Sequence, residues 1–261
     1  MNFCEFKAIC EFRDDYKEQV EKWAKQAPLL QKLQKEAARL AGVPPYSFET
    51  PVVYNRSLDE IMQEDEIRLI VIGDNPGKDE QLAKNNRYLV GQAGKIAEGF
   101  FKKNAELGID FRKNAIILNK TPVHSSKTAQ LKVMAKLGGP EIASLLEESQ
   151  IWCAERTASL HQKLCQAADG IDSGPELWLV GYSELKPKGI FTRYAQELKA
   201  VYQNASEWEK VLVFQHFSMN RFTIDLAQFR LQAATQSTQQ PSLYESLQEL
   251  GRLHREEIFN S

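Results

Sequence analysis

Four short apolar runs constrain what this chain can fold into. Leu69 to Ile72, Ala115 to Leu118, Leu177 to Val180 and Val211 to Phe214 are rich in branched aliphatics and are separated by stretches long enough for helices. Apolar side chains at every position, rather than at alternate ones, belong to strands covered on both faces, as in a parallel sheet. Parallel neighbours need right-handed crossovers. The expected fold class is therefore α/β, a three-layer α/β/α sandwich with a central four-stranded parallel sheet. Each run ends in a polar loop: GDNPGKDE, NKTPVHSSKT, GYSELKPKG and QHFSMNRF, in chain order. Ligands of such sheets bind beyond the carboxyl ends of the strands, which makes these four loops the expected site.

Helical spacing fills the intervals. Residues 14 to 41 read as a helical segment with Val20, Trp23, Ala24 and Ala27 on one face, interrupted near Pro28 and stopped by Gly42 and Pro44. Residues 44 to 55 read as a loop across the sheet edge, and Ser57 with Glu60 as a capping box opening a short acidic helix. Ile96, Ala97, Phe100 and Phe101 make a core stripe over 93 to 104. Further helices are expected over 128 to 138, 141 to 168 and 190 to 202. Residues 234 to 242 read as a polar linker, and Leu243, Leu247, Leu250 and Leu253 as the docking face of a last helix. With 261 residues, 43% of them apolar, the chain suits a single domain: a core at 68 to 222 with helical extensions over 1 to 67 and 223 to 261.

Formal net charge is −2, yet the charge is uneven. Residues 1 to 67 hold 9 basic and 13 acidic side chains, 68 to 139 hold 13 and 6, and 140 to 261 hold 11 and 16. A positive field around the first two loops would suit a phosphate backbone; Lys-rich solvated helix faces would give the same count. No basic start leads into a long apolar run, and nothing approaches the ~18 apolar residues of a membrane span. A soluble, cytoplasmic monomer without a membrane partner is expected.

The stretch from Gly73 to Glu80, GDNPGKDE, and that from Tyr88 to Gly94, YLVGQAG, resemble the first motif of the uracil-DNA glycosylase superfamily. The match is to the type-4 pattern GEAPGxxE followed by PFVGxAG. The GxNPG form is also similar to the mismatch-specific and single-strand-selective branches. Two further motifs follow in order, Asn119 in ILNKTP after the second strand and His216 to Arg221, HFSMNR, after the fourth. Many type-4 members carry a four-cysteine iron–sulfur cluster. Here Cys4, Cys10, Cys153 and Cys165 form no CxxC pair, Thr121 stands where the pattern has a cysteine, and twelve residues of helix would separate Cys153 from Cys165 by ~18 Å. No iron–sulfur cluster, metal or other cofactor is expected.

The resemblance implies a monofunctional glycosylase, a hydrolase of N-glycosyl bonds acting on DNA that contains uracil or another deaminated base. Asp74 takes the position of the type-4 catalytic Glu, and Asn75 that of the water-positioning Asn of the other branches. Asn119 would read the base edge, because one amide offers both donor and acceptor. His216 would donate to the charge that develops on the leaving base. Gly73, Pro76, Gly77, Tyr88, Leu89 and Ser218 are the remaining expected substrate contacts, Tyr88 or Leu89 replacing the Phe that faces the base in the family pattern. Met219, Asn220 and Arg221 lie where a wedge would enter the base stack; Lys120, His124, Lys127, Lys186 and Lys188 are expected phosphate contacts from the rim. Two other classes fit the same residues: a noncatalytic nucleic-acid-binding protein and a hydrolase of free nucleosides or nucleotides.

Overall fold

The computed structural model describes residues 1–26, 28–168, 170, 173–203, 205–236 and 241–260. Its four strands are β1 (Leu69–Gly73), β2 (Ala115–Asn119), β3 (Glu176–Val180) and β4 (Val211–Phe214), all parallel in the order β2-β1-β3-β4. Every expected apolar run is a strand, extended by a residue at one end in β1, β2 and β3. The register pairs Val71 with Ile117 and Trp178, and Trp178 with Leu212, so these four share one face. On that face lie the rings of Phe101 and Phe222, 5.5 and 5.9 Å from Trp178.

Helices cover both faces, a layering compatible with a three-layer sandwich. The first links are α1 (Phe3–Gln26), α2 (Leu30–Leu40) and α3 (Gln92–Lys103), the last of which carries Phe101. Next come α4 (Gln130–Ala167), the single-turn α5 (Tyr182–Leu185) and α6 (Thr192–Tyr202). The chain finishes with α7 (Arg221–Gln236), which carries Phe222, and α8 (Leu243–Phe259). Helix α4 packs on α6, α1 and α2 and, by right-handed crossover, lies opposite α3. It breaks at Gly139, whose φ of 68° and ψ of −160° leave the helical region just before Pro140, so the two expected helices follow one another. Helix α8 seats Gly251 against Leu212 and Phe214 of the edge strand β4.

Several local expectations are corrected. The first helix begins at Phe3 rather than near residue 14, because Ala8, Ile9 and Phe12 join Tyr16, Val20 and Trp23 in the core. Ala24 is exposed, and Ala27 lies outside the described residues. Ser57 caps nothing: Asn55 accepts from Ser57 N at 3.2 Å while its amide donates to Ile117 O at 2.7 Å, so it pins the short 3-10 turn to β2. The linker expected at 234 to 242 is helical through Gln236, and its part at 237 to 240 lies outside the described residues. Leu253 is exposed, while Leu243, Leu247 and Leu250 are buried. Helix α5 was not foreseen, being one turn inside a loop. Among the described residues no helix is long and apolar enough to cross a membrane.

Candidate functional site

The carboxyl ends of the strands open on a cavity of about 590 Å³, lined among others by Asp74, Asn75, Leu89, Asn119, Thr128, Gly181 and His216. Asn119 ends β2 and Ser125 to Thr128 lie in the loop after it, and Gly181 and Gln215 follow β3 and β4, so all four expected loops meet there. Two glycines make room. A Cβ at Gly73 would overlap the Asn119 amide oxygen, and one at Gly181, where φ is +101°, would overlap the Asp74 carboxylate.

Asp74 is 8% exposed and is not a free carboxylate. Its Oδ1 accepts from Lys120 Nζ at 2.6 Å, and its Oδ2 from Thr128 Oγ1 at 3.3 Å. Lys120 is fully buried, and its ammonium also donates to Val180 O at 2.6 Å and Gly73 O at 3.3 Å. Burial pushes the Lys120 pKa down, and Asp74 pulls it back up. This overturns the expected phosphate contact: Lys120 ties the ends of β1 and β3 together beneath the site. His124 is likewise no rim residue. It is buried, donates from Nδ1 to Pro76 O at 2.8 Å and accepts at Nε2 from Tyr46 Oη at 2.9 Å; burial lowers its pKa to about 4.

Asn75 commits its amide nitrogen to Ser125 Oγ at 2.9 Å and Ser125 O at 3.1 Å. Its Oδ1 is therefore the atom available to a ligand or water. Asn119 is 3% exposed, and its amide nitrogen has no hydrogen-bond partner among the described residues. A buried donor without an acceptor costs about 1–3 kcal/mol unless something in the cavity accepts from it. His216 accepts from Ser218 N at 3.1 Å on Nδ1, which puts the proton of the neutral ring on Nε2. Ser218 Oγ stands 2.7 Å from the same nitrogen. Burial lowers the His216 pKa; the Asp74 charge opposes that and the Lys120 charge adds to it, so the ring is neutral near pH 7.

The two halves of the first motif are braced by a residue given no role from the sequence. Glu80 accepts from Gly77 N on Oε2 and from Leu89 N on Oε1, each at 3.0 Å. Burial raises its pKa to about 7, against the pull of those two N–H groups. Leu89, at φ 51°, turns its carbonyl to Arg112, which donates at 2.7 Å. That reversal separates Leu89, which lines the cavity, from Tyr88, which does not. Tyr88 is buried, donates to Val53 O at 2.5 Å and meets the Tyr16 hydroxyl at 2.6 Å, so its expected role as the face against a base is overturned. Pro76 supplies only its carbonyl, to Asn75, His124 and Ser125.

The rim differs from the floor. Met219 is 70% exposed, and both Met219 and Asn220 sit in the left-handed region at φ 56°; Met219 and Arg221 line the cavity mouth. Lys127 and Lys78 line it too, against Asp79 and Glu184. Lys186 is exposed but lies off the cavity, its ammonium 4.1 Å from the Tyr182 ring centroid. Lys188, also off the cavity at φ 76°, accepts from Lys132 Nζ through its carbonyl at 2.6 Å. Thr128, Ser125 and Gly181 were missed as well. Only Gly181, a glycine directly after a strand, left a signal in the sequence. Cys153 and Cys165 lie on the same helix beyond its break, and among the described residues no group of three or more His, Cys, Asp or Glu could hold a metal ion. No family model, curated protein or solved structure matches this chain.

Proposed function

We propose that the cavity is the active site of a uracil-DNA glycosylase-like enzyme, a monofunctional hydrolase that removes uracil or another deaminated base from DNA. The observation that carries this reading is the unpaired, buried amide nitrogen of Asn119 in one cavity with His216, whose proton is on Nε2. A base turned out of its strand would accept from Asn119 and His216 through its carbonyl oxygens. As the bond between C1′ and the base nitrogen breaks, its electron pair leaves with the base, and the Nε2–H of a neutral His216 stabilises the charge that develops there. Water then adds to C1′, and the one proton it loses neutralises the departed base anion, leaving an abasic site and the free base. Asn75 Oδ1 is the acceptor that orients this water, since Asn75 Nδ2 is held by Ser125. Asp74 offers its carboxylate to the cationic sugar with its field partly offset by Lys120.

That offset also favours a second reading, in which the same cavity binds a nucleic acid without cleaving it. Incubating single- and double-stranded oligonucleotides carrying uracil, hypoxanthine or xanthine, then treating them with alkali, separates the two. The expected result is strand breaks at a deaminated base that fall by about 10²-fold or more in His216→Ala, in the range of a removed oxyanion donor. Breaks on none of the bases, with binding retained, would sink the glycosylase reading.

A further inference from the structure

Beside the cavity, the loop from Pro44 to Pro51 holds an aromatic pair that the proposed chemistry does not use. The Tyr46 and Phe48 rings are 4.1 Å apart at 30°, and both are half-buried. The Lys78 ammonium lies 4.9 Å from the Tyr46 centroid, and that of Lys35 lies 5.8 Å from the Phe48 centroid. The backbone beneath them is stapled. Gln81, fully buried, accepts from Glu49 N at 2.7 Å and donates to Ser47 O at 2.6 Å; Gln31 donates to Phe48 O and Gln34 to Pro51 O, each at 2.8 Å. A loop held this firmly, with Pro44, Pro45 and Pro51 restricting φ, would bury its rings if packing were their purpose. Instead they remain half-buried, each edge-on to the His124 ring at 5.8 Å and each with a cation over a face.

The pair is also wired to the site. Tyr46 donates to His124, and His124 donates to Pro76 O in the loop that carries Asp74 and Asn75. Lys78 lines the cavity mouth as well. We infer that Tyr46 and Phe48 form a stacking platform for bases of a single-stranded nucleic acid running out of the cavity. An incoming base takes the ring face that an ammonium now covers, and the displaced Lys78 or Lys35 meets the flanking phosphate. Aromatic faces and lysines alternating along a fixed surface suit base stacking with charge neutralisation, and neither depends on sequence. The nucleic acid is DNA if the preceding reading holds, and the platform stands on its own geometry if it does not.

The test uses fluorescein-labelled dT12 and rU12 without any deaminated base in the DNA, read by anisotropy at two salt concentrations. The Tyr46→Leu/Phe48→Leu protein is expected to bind at least about tenfold more weakly than wild type, from the ~1–3 kcal/mol of a stacked base. Lys35→Ala is expected to flatten the salt dependence. Phe48→Trp should retain binding and show indole quenching on titration, which keeps the idea testable if the double variant folds poorly. Ring-dependent binding of either oligomer supports the platform, and the tighter oligomer says whether it serves DNA or RNA. Unchanged affinity in the double variant, or no quenching in Phe48→Trp at saturation, overturns it. Ring-dependent binding without strand cleavage would instead remove the glycosylase reading alone.

Discussion

The loop after β1 and the loop after β4 face each other across the cavity and are built on opposite principles. In the first, Asp74, Asn75, Glu80 and the carbonyl of Leu89 each have named partners from elsewhere in the fold or across the loop itself. In the second, two consecutive non-glycine residues occupy the left-handed region, and the outermost side chain, Met219, has little cover. A floor satisfied from several directions keeps reactive groups in place at no cost during reaction. The exposed rim instead carries backbone strain at two consecutive left-handed residues, a tip that the proposed function assigns to contact with DNA. Under the proposed function, chemistry falls to the held floor, which includes His216 at the base of the second loop, and contact to that loop's exposed tip.

The comparison breaks most sharply at Lys120. Replacing it with Met leaves the Asp74 carboxylate without its cation and the Val180 carbonyl without a donor, and is expected to lower unfolding free energy by about 3–5 kcal/mol. The lower end applies, because Asp74 borders the cavity and can draw water from it. Combining Lys120→Met with Asp74→Asn removes the unpaired charge and should recover a large part of that loss, as urea melts of the two proteins would show. If the single variant unfolds like wild type, the floor is not braced by this pair.

Glu80 sharpens the comparison through pH. Its folded pKa of about 7 lies above the ordinary glutamate value of 4.5, so between these values the folded protein holds a proton that the unfolded chain releases. Stability from this group is full below the unfolded value and declines as pH rises through about 7, by roughly 3 kcal/mol in total at 1.36 kcal/mol per pH unit. Glu80→Gln, which cannot ionise, should flatten that slope in urea melts at pH 5 and pH 8. An equal slope in both proteins would mean that Glu80 is not the group titrating in this window.

How much of this was legible follows from where each residue's partners lie. The strands could be read because burial on both faces writes itself into consecutive residues; that Asp74, Asn75, Asn119 and His216 share a cavity follows from strand ends carrying site loops, while their roles came from the family resemblance alone. Lys120 could not be read. In the loop NKTP a lysine looks solvated, and its acceptors Asp74 and Val180 lie 46 and 60 positions away in the chain. Tyr88 was misplaced for a similar reason: the left-handed turn at Leu89 sends it toward Tyr16 on α1, and nothing local demands that turn of a leucine. The capping asparagine Asn55 won over Ser57 because it also reaches Ile117, a tertiary contact invisible in the local pattern.

The smallest expected effect tests the rim. Met219→Gly relieves a left-handed residue, a gain of about 1 kcal/mol, and adds backbone entropy to the unfolded chain, a loss of roughly the same size. Stability should therefore change by under about 1 kcal/mol in urea melts. Affinity for an oligonucleotide should fall, because glycine has no side chain to enter a base stack, while His216 and Asn119 stay in place beneath. A protein that loses stability like Lys120→Met, with affinity unchanged, would reverse the division: the rim would then be structural.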